Sequence, residues 1–102
     1  MTVLLESNGL KLVEEQIAGS SSYSTGGNLY TINELSTVLS VINVKNTAGY
    51  VAVGYASGSA GTGSNQVNII VQQVGSASAA LTQVPAGTNL SSVTFTVYAI
   101  GF

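Results

Sequence analysis

The chain has no cysteine, no histidine and no tryptophan, and it has a single proline. Without cysteine it can form neither a disulfide nor a thiolate metal site, and without histidine it lacks a common zinc ligand and the most frequent general base. None of its serines can therefore be activated by a histidine partner. We expect no catalytic residue, no metal site and no cofactor.

Carboxylate chemistry is the remaining route to an enzyme. Glu14 with Glu34, or Glu15 with Glu34, could in principle act as the acid and base of a glycoside hydrolase. Adjacent Glu14 and Glu15 point to opposite faces of a strand, and Glu34 already has a role as a helix cap. The sequence therefore favours a protein that is not an enzyme.

Charge is the next scarce property. Two basic and four acidic residues make up 6% of the chain and give a formal charge of −2, whereas an ordinary domain is roughly a quarter charged. Two lysines cannot neutralise a nucleic-acid backbone, and no apolar run reaches the length of a membrane span. Nucleic acid and membrane are thus not expected as partners.

The charges are also distributed unevenly, because residues 46–102 carry none. Burying an unpaired charge costs several kcal/mol, whereas a hydroxyl or amide that finds a new partner costs much less. A surface of serine, threonine, asparagine, glutamine and glycine therefore suits dense assembly. We expect the uncharged half to supply most of the contact with other proteins.

Glycine and serine clusters punctuate stretches rich in valine, isoleucine, threonine and tyrosine, which is typical of all-β proteins. Asn8-Gly9 is a hairpin-turn signal, and the segments 18–28 and 57–64 are predicted loops. Thr31 to Glu34 matches a capping box and predicts one short helical turn. Strands are predicted at 2–6, 10–17, 38–44, 50–56, 66–74, 81–84 and 93–100, with 38–44 and 50–56 paired as a hairpin.

Alternation assigns faces to three of these strands. Val67, Ile69 and Val71 share one face of segment 66–74, while Ile70 makes the opposite face partly apolar too. In the other two strands, alternation places Tyr55 and Phe95 in the core. A strand that is apolar on both faces is covered either by its own fold or by a partner.

The predicted fold is a single domain over residues 1–102, a β-sandwich or a jelly-roll-like barrel of about eight short strands. Residues 1–20 form either an N-terminal arm or an edge hairpin of this domain. Residues 1–5 are too short for the apolar core of a signal peptide and lack preceding basic residues. We expect a protein made in a cytoplasm.

Several segments resemble a family of small structural proteins of tailed bacteriophages. They are SSYSTGGN at 21–28, the short helical signature at 31–35, VPAGTNL at 84–90 and the closing VTFTVYAIGF at 93–102. Order and spacing carry the resemblance, which covers residues 21–102. Ser24 departs from the proline common in that family and Asn89 from the aspartate, and residues 1–20 match nothing in it.

The resemblance implies a virion component of the capsid decoration or cement type. Such a protein would be made in the host bacterial cytoplasm, would sit on the major capsid protein, and would form a homo-trimer or another homo-oligomer. Alternatives are another virion component, such as a head fibre base, a tail protein or an adaptor, and a carbohydrate-binding β-sandwich module. The candidate interface residues are Tyr23, Gly26, Gly27, Tyr30, Tyr50, Ile70, Tyr98 and Phe102.

Overall fold

The computed structural model of the protein describes residues 2–57, 64–74 and 81–102, which form eight β-strands. Most of the predicted loop at 57–64 lies outside the described residues. The all-β prediction is confirmed, and the observed bounds lie within two residues of those expected for seven strands. The strands are β1 (Thr2–Ser7), β2 (Leu10–Ala18), β3 (Asn28–Thr31), β4 (Val38–Asn46), β5 (Val51–Ala56), β6 (Gln66–Val74), β7 (Leu81–Gln83) and β8 (Thr94–Gly101).

The strands build two antiparallel sheets that face each other as a β-sandwich. Sheet A has the order β1-β2-β8-β4, and sheet B has the order β3-β6-β5 with β7 also paired to β6. Because β5 occupies one side of β6, β3 and β7 lie end to end along its other side. The chain therefore crosses between sheets after β2, β3, β4 and β7.

The core lies between the sheets and follows the period-two alternation of their strands. In β8 every second residue from Phe95 to Gly101 is buried, and in β6 the buried residues are Val67, Ile69 and Val71. Connections close the open ends of the sandwich with the buried side chains Tyr23, Ile32, Leu35, Val84, Leu90 and Val93. Phe95 is in the core as predicted.

The N-terminal strands form a hairpin at the edge of sheet A. Asn8 and Gly9 both have positive φ, at 53° and 82°, as the predicted two-residue turn requires. β1 is the edge strand, and it contains an irregularity between Val3 and Leu5. A bulge in an edge strand weakens its use as a template for further strand pairing.

Three local predictions were wrong. No helical turn follows Thr31; a turn closed by the Leu35 N–H donating to the Ile32 carbonyl (3.1 Å) leads into β4. β4 and β5 are not a hairpin, because β4 pairs with β8 in one sheet and β5 with β6 in the other. The short strand β3 had not been predicted, since it directly follows a glycine-rich loop.

The fourth correction concerns the faces of β5. Tyr55 is 53% exposed rather than buried, and Val51 is exposed on the same side. Small residues face inward instead, because β5 passes very close to β4. A β-carbon added at Gly54 would lie 2.7 Å from Val41 Cγ1 and 2.8 Å from Val44 Cγ2. The tight approach of the sheets thus turns the larger side chains of β5 outward.

Candidate interaction surfaces

Three of the candidate interface tyrosines hold the sandwich together. Tyr23 is buried, and its hydroxyl lies 2.7 Å from Gln83 Oε1 and accepts a hydrogen bond from the Val71 N–H. Tyr30 is half-buried against Phe95, with ring centroids 6.5 Å apart. Tyr50 is half-buried and packs on the core. Burial raises the pKa of the Tyr30 hydroxyl.

The segment around Tyr23 is joined to the VPAGTNL segment of the resemblance, at 84–90. The Tyr23 N–H donates to the Thr88 carbonyl, the Gly87 N–H donates to the Tyr23 carbonyl, and the Leu90 N–H donates to the Ser20 carbonyl, all within 2.9 Å. Residues 20–23 and 87–90 therefore form one scaffold that seals an end of the sandwich. These two segments, which are far apart in the sequence, are therefore in direct contact in the fold.

The two candidate glycines follow residues 20–23 of this scaffold in the chain and differ in their surroundings. Both have positive φ, 93° at Gly26 and 109° at Gly27. A β-carbon at Gly26 would meet nothing, whereas one at Gly27 would clash with the Asn68 side chain and lie 2.8 Å from the Ile69 carbonyl oxygen. Gln83 Oε1 also accepts a hydrogen bond from the Gly26 N–H (2.9 Å). Gly26 and Gly27 thus allow this turn to pack closely against β6.

The other three candidates do reach the surface, but in different places. Ile70 lies on the outer side of sheet B, Tyr98 lies on the outer side of sheet A, and both are partly exposed. Phe102 follows β8, and its side chain is 49% exposed. The eight candidates therefore do not form one surface.

The outer face of sheet B is uncharged and partly apolar. Register places Leu29, Asn68 and Tyr55 in one row across β3, β6 and β5, and places Ile70 beside Val53 in the next. Leu29 is 56% exposed, and Tyr55 is exposed to a similar degree. The four strands of this sheet contain no charged residue. Leu29, Val51, Val53, Tyr55, Asn68, Ile70 and Gln72 are named the sheet B face.

The outer face of sheet A is different, because an apolar row lies beside a charged one. Ser40, Ile100, Leu12 and Leu5 are paired in register across all four strands, and Leu5 is 66% exposed. We name this surface, together with the neighbouring row around Tyr98, the sheet A face.

The neighbouring row centres on the Tyr98 ring. Asn43 and Glu14 pair with Tyr98 on its two sides, and the Lys45 ammonium lies 5.5 Å from the ring centroid. The hydrogen bond with the Glu14 carboxylate raises the pKa of the Tyr98 hydroxyl. Ile42, at an irregularity of β4, is 60% exposed. With Leu12, Ile42, Asn43 and Lys45, the Tyr98 ring lines a shallow depression of about 370 Å³.

Two carboxylate pairs were considered for catalysis, Glu14 with Glu34 and Glu15 with Glu34. The charge of Glu34 affects Glu15. Glu14 and Glu15 face opposite sides of sheet A, as expected, and Glu15 Oε2 is buried without a hydrogen-bond partner. Burial raises the pKa of Glu15, and the nearby charge of Glu34 raises it further. Neither the depression beside Tyr98 nor a second one between β4 and β5 is lined by Glu14, Glu15 or Glu34.

The described residues contain no group of three or more acidic residues that could hold a metal ion. Nor do they include a helix of the length and apolar character needed to cross a membrane.

The outward-facing residues that sequence reasoning missed are mainly Leu29, Val53, Leu5, Leu12 and Ile42. Alternation alone could have found Val53 only if the small residues of β5 had been recognised as the inward set. Nothing in the sequence indicates that Ile42 is exposed, because the irregularity that exposes it depends on the pairing of β4 with β8. Leu5 and Leu12 become one surface only through the register of β1, β2 and β8.

Comparison with known proteins gives no further assignment. No protein-family model, no curated protein and no solved structure matches the chain. The class defined by the fold is therefore a small two-sheet antiparallel β-sandwich.

Proposed function

We propose that this protein is a structural subunit of a tailed-bacteriophage virion, of the decoration or cement type, which packs on the major capsid protein through its sheet B face. The observation that carries the proposal is the absence of charge from the four strands of sheet B, combined with the exposure of Leu29 and Tyr55. An isolated protein gains little solubility from such a face.

The energetic argument rests on desolvation. Covering the sheet B face strips water from aliphatic side chains, which is favourable by about 25 cal/mol per Å² of apolar area. Its polar groups are amides such as Gln72 and Asn68, and the Asn68 Nδ2–H already donates to the Gly26 carbonyl (2.9 Å). No ion on these strands has to be dehydrated, so the same area gives a larger net gain than a charged surface would.

The sequence resemblance, which is carried by the order of segments over residues 21–102, independently supports a role in a virion. The structure accounts for two of those segments as one scaffold. In this role the chain performs no reaction, and added interface area between capsid subunits resists the outward pressure of packaged DNA.

The test is cryo-electron microscopy of particles produced by the genome that encodes this chain. The proposal expects the chain on the outside of the head, with the sheet B face against the major capsid protein. A position at the tail or neck would support the alternative of another virion component and overturn the capsid assignment. Absence of the chain from the particle would overturn both.

A matched pair of variants tests the face itself. Ile70→Glu introduces a charge into the centre of the sheet B face, and Ser21→Glu introduces the same charge at an exposed loop position. Binding of purified protein to heads that lack it should weaken at least about a hundredfold for Ile70→Glu, since an unpaired charge would be buried. The Ser21→Glu variant should bind normally. Equal binding by both variants would exclude the sheet B face as the contact.

A carbohydrate-binding module would need exposed, coplanar rings on which a sugar could stack, at Tyr23, Tyr30 or Tyr50. Tyr23 is buried, and the other two pack against the core. These three rings do not form a stacking platform, so the geometry favours the structural role.

A further inference from the structure

The sheet A face has a pattern of charge and apolar side chains that is complementary to itself. Glu14 of β2 is paired with Tyr98 of β8, and Lys45 of β4 is paired with Thr96, one outward position further along β8. The Lys45 ammonium nevertheless reaches to 5.5 Å from the Tyr98 ring centroid. The apolar row through Leu12 and Ile100 crosses the same three strands at the next level. One acid and one base thus flank a central strand, on opposite sides of it.

Symmetry decides which arrangement of two such faces is favourable. A two-fold axis parallel to β8 places β2 of one copy over β4 of the other, so Glu14 lies over Asn43. The Lys45 ammonium extends towards the same row and comes within reach of the Glu14 carboxylate, twice in the dimer. The same axis superposes each apolar row on its equivalent, with Ile100 facing Ile100. A two-fold axis perpendicular to β8 through Tyr98 instead brings Glu14 to Glu14 and sets the Leu12 row over the polar row of Thr96. Only the parallel axis satisfies both patterns.

We propose that the sheet A face binds a second copy of this chain, face to face, about a two-fold axis parallel to β8. The shallow depression beside Tyr98 gives room for side chains of the second copy to interdigitate, and Ile42 and Leu12 line it. The two sheets then pack with their strands nearly aligned, as sandwiched sheets do. This dimer uses the face opposite to the one proposed for the capsid, and it does not rest on the virion function.

The size of the face sets the strength of the dimer. Four strands about 4.8 Å apart and eight residues long give a face of roughly 500 Å² per copy, compared with about 800 Å² per partner in a standard stable interface. The isolated protein should therefore dimerise weakly, with a dissociation constant in the micromolar range. At a local subunit concentration well above this dissociation constant, most of the protein would be dimeric.

Charge reversal is the first experiment, read out by sedimentation equilibrium of the full chain over a concentration series up to about 1 mM. Glu14→Lys should raise the dimer dissociation constant at least about tenfold, because it opposes two pairs of like charges. The double variant with Glu14→Lys and Lys45→Glu should restore dimerisation. Glu6→Lys changes the net charge equally but lies on the opposite side of sheet A, and it should leave the constant unchanged.

Three outcomes of this experiment would overturn the proposal. A wild-type chain that stays monomeric at 1 mM overturns the proposal. So does a trimer, or a double variant that behaves no better than Glu14→Lys alone. None of these results bears on whether the chain occurs in a virion, because that is tested on particles.

Cross-linking gives a second, independent readout, since the chain has no native cysteine. Ile100→Cys places one thiol near the proposed axis, and Ile70→Cys places one on the sheet B face. Packed sheets lie about 10 Å apart, beyond the reach of a disulfide, so a short bismaleimide is the reagent. Dimers should cross-link through Ile100→Cys and not through Ile70→Cys. The reverse result would place the second copy on sheet B and overturn the proposal.

Discussion

Sheets A and B share one core but present opposite surfaces to the outside. Sheet A carries Glu6, Lys11, Glu14, Glu15 and Lys45, which are five of the six charged residues, and sheet B carries none. Both nevertheless expose large apolar side chains, such as Leu5 on sheet A and Tyr55 on sheet B. Apolar exposure alone therefore does not distinguish the two faces.

What distinguishes them is the specificity that charge provides. A face with one acid and one base in fixed positions discriminates between orientations of a partner, because the wrong orientation opposes like charges. A neutral face relies on shape and on hydrogen bonds between amides and hydroxyls. The two faces would therefore select partners in different ways. Charge on sheet A selects the orientation of a partner, and sheet B selects a partner by the fit of its shape.

The largest expected effect comes from Tyr23, which ties the connection leaving sheet A to the strands of sheet B. Tyr23→Ala removes a buried aromatic ring and should lower the free energy of unfolding by about 3 to 5 kcal/mol. Tyr23→Phe keeps the ring but removes the hydroxyl that contacts Gln83 and Val71, and should cost about 1 to 2 kcal/mol. Urea denaturation of the two variants measures both values.

This pair of variants separates the Tyr23 ring, which packs in the core shared by both sheets, from the hydroxyl, which bonds to strands of sheet B. If Tyr23→Phe proves as damaging as Tyr23→Ala, the hydrogen bonds to sheet B rather than core packing hold the two sheets together. Equal stability of Tyr23→Phe and the wild type would show that the Val71 N–H and the Gln83 side chain find other partners.

The next effect concerns the turn that fits against sheet B. Gly26→Ala meets only the backbone penalty of a positive φ, about 1 kcal/mol. Gly27→Ala carries the same penalty and also a clash with Asn68 and the Ile69 carbonyl, so it should cost about 2 to 4 kcal/mol. Thermal unfolding of the two variants makes a direct comparison. A smaller loss for Gly27→Ala than for Gly26→Ala would contradict the close packing of this turn on β6.

The sequence predicted one sheet of this comparison better than the other. Alternation in β8 correctly placed Phe95, Val97 and Ala99 in the core, because β8 is a central strand with the core on one side and solvent on the other. In β5 the same reasoning reversed the faces. The rule that larger apolar residues point inward fails where sheets approach closely enough to require Gly54.

The candidate surfaces were harder to predict than the strands. Ile70 was found because both faces of β6 are partly apolar, a property that can be read within one strand. The row formed by Leu5, Leu12 and Ile100 spans residues far apart in the sequence and depends on two registers, that of β1 with β2 and that of β2 with β8. Irregularities in β4 shift its register twice, and nothing in its sequence announces them. Pairing between strands, rather than propensity within them, carried the missing information.

The smallest expected effect is a pH dependence that belongs to sheet A alone. Burial raises the pKa of Glu15 above its ordinary value of 4.5, so the folded state favours the protonated carboxyl. The stabilising contribution is therefore complete below pH 4.5 and is lost as the pH rises through the raised pKa. Glu15→Gln removes the buried charge and should raise the free energy of unfolding at pH 7 by at most about 1 kcal/mol, because solvent screens a half-buried group.

The measurement is the difference in unfolding free energy between pH 4 and pH 7 for the wild type, Glu15→Gln and the control Glu6→Gln. Glu6 is exposed on β1, so its variant removes one negative charge without relieving any burial. The wild type and the control should lose stability in parallel as the pH rises, and Glu15→Gln should lose less. If all three curves coincide, Glu15 ionises freely and its carboxylate is solvated in the folded protein. In that case the only inward-facing acid of β2 imposes no cost on folding at pH 7.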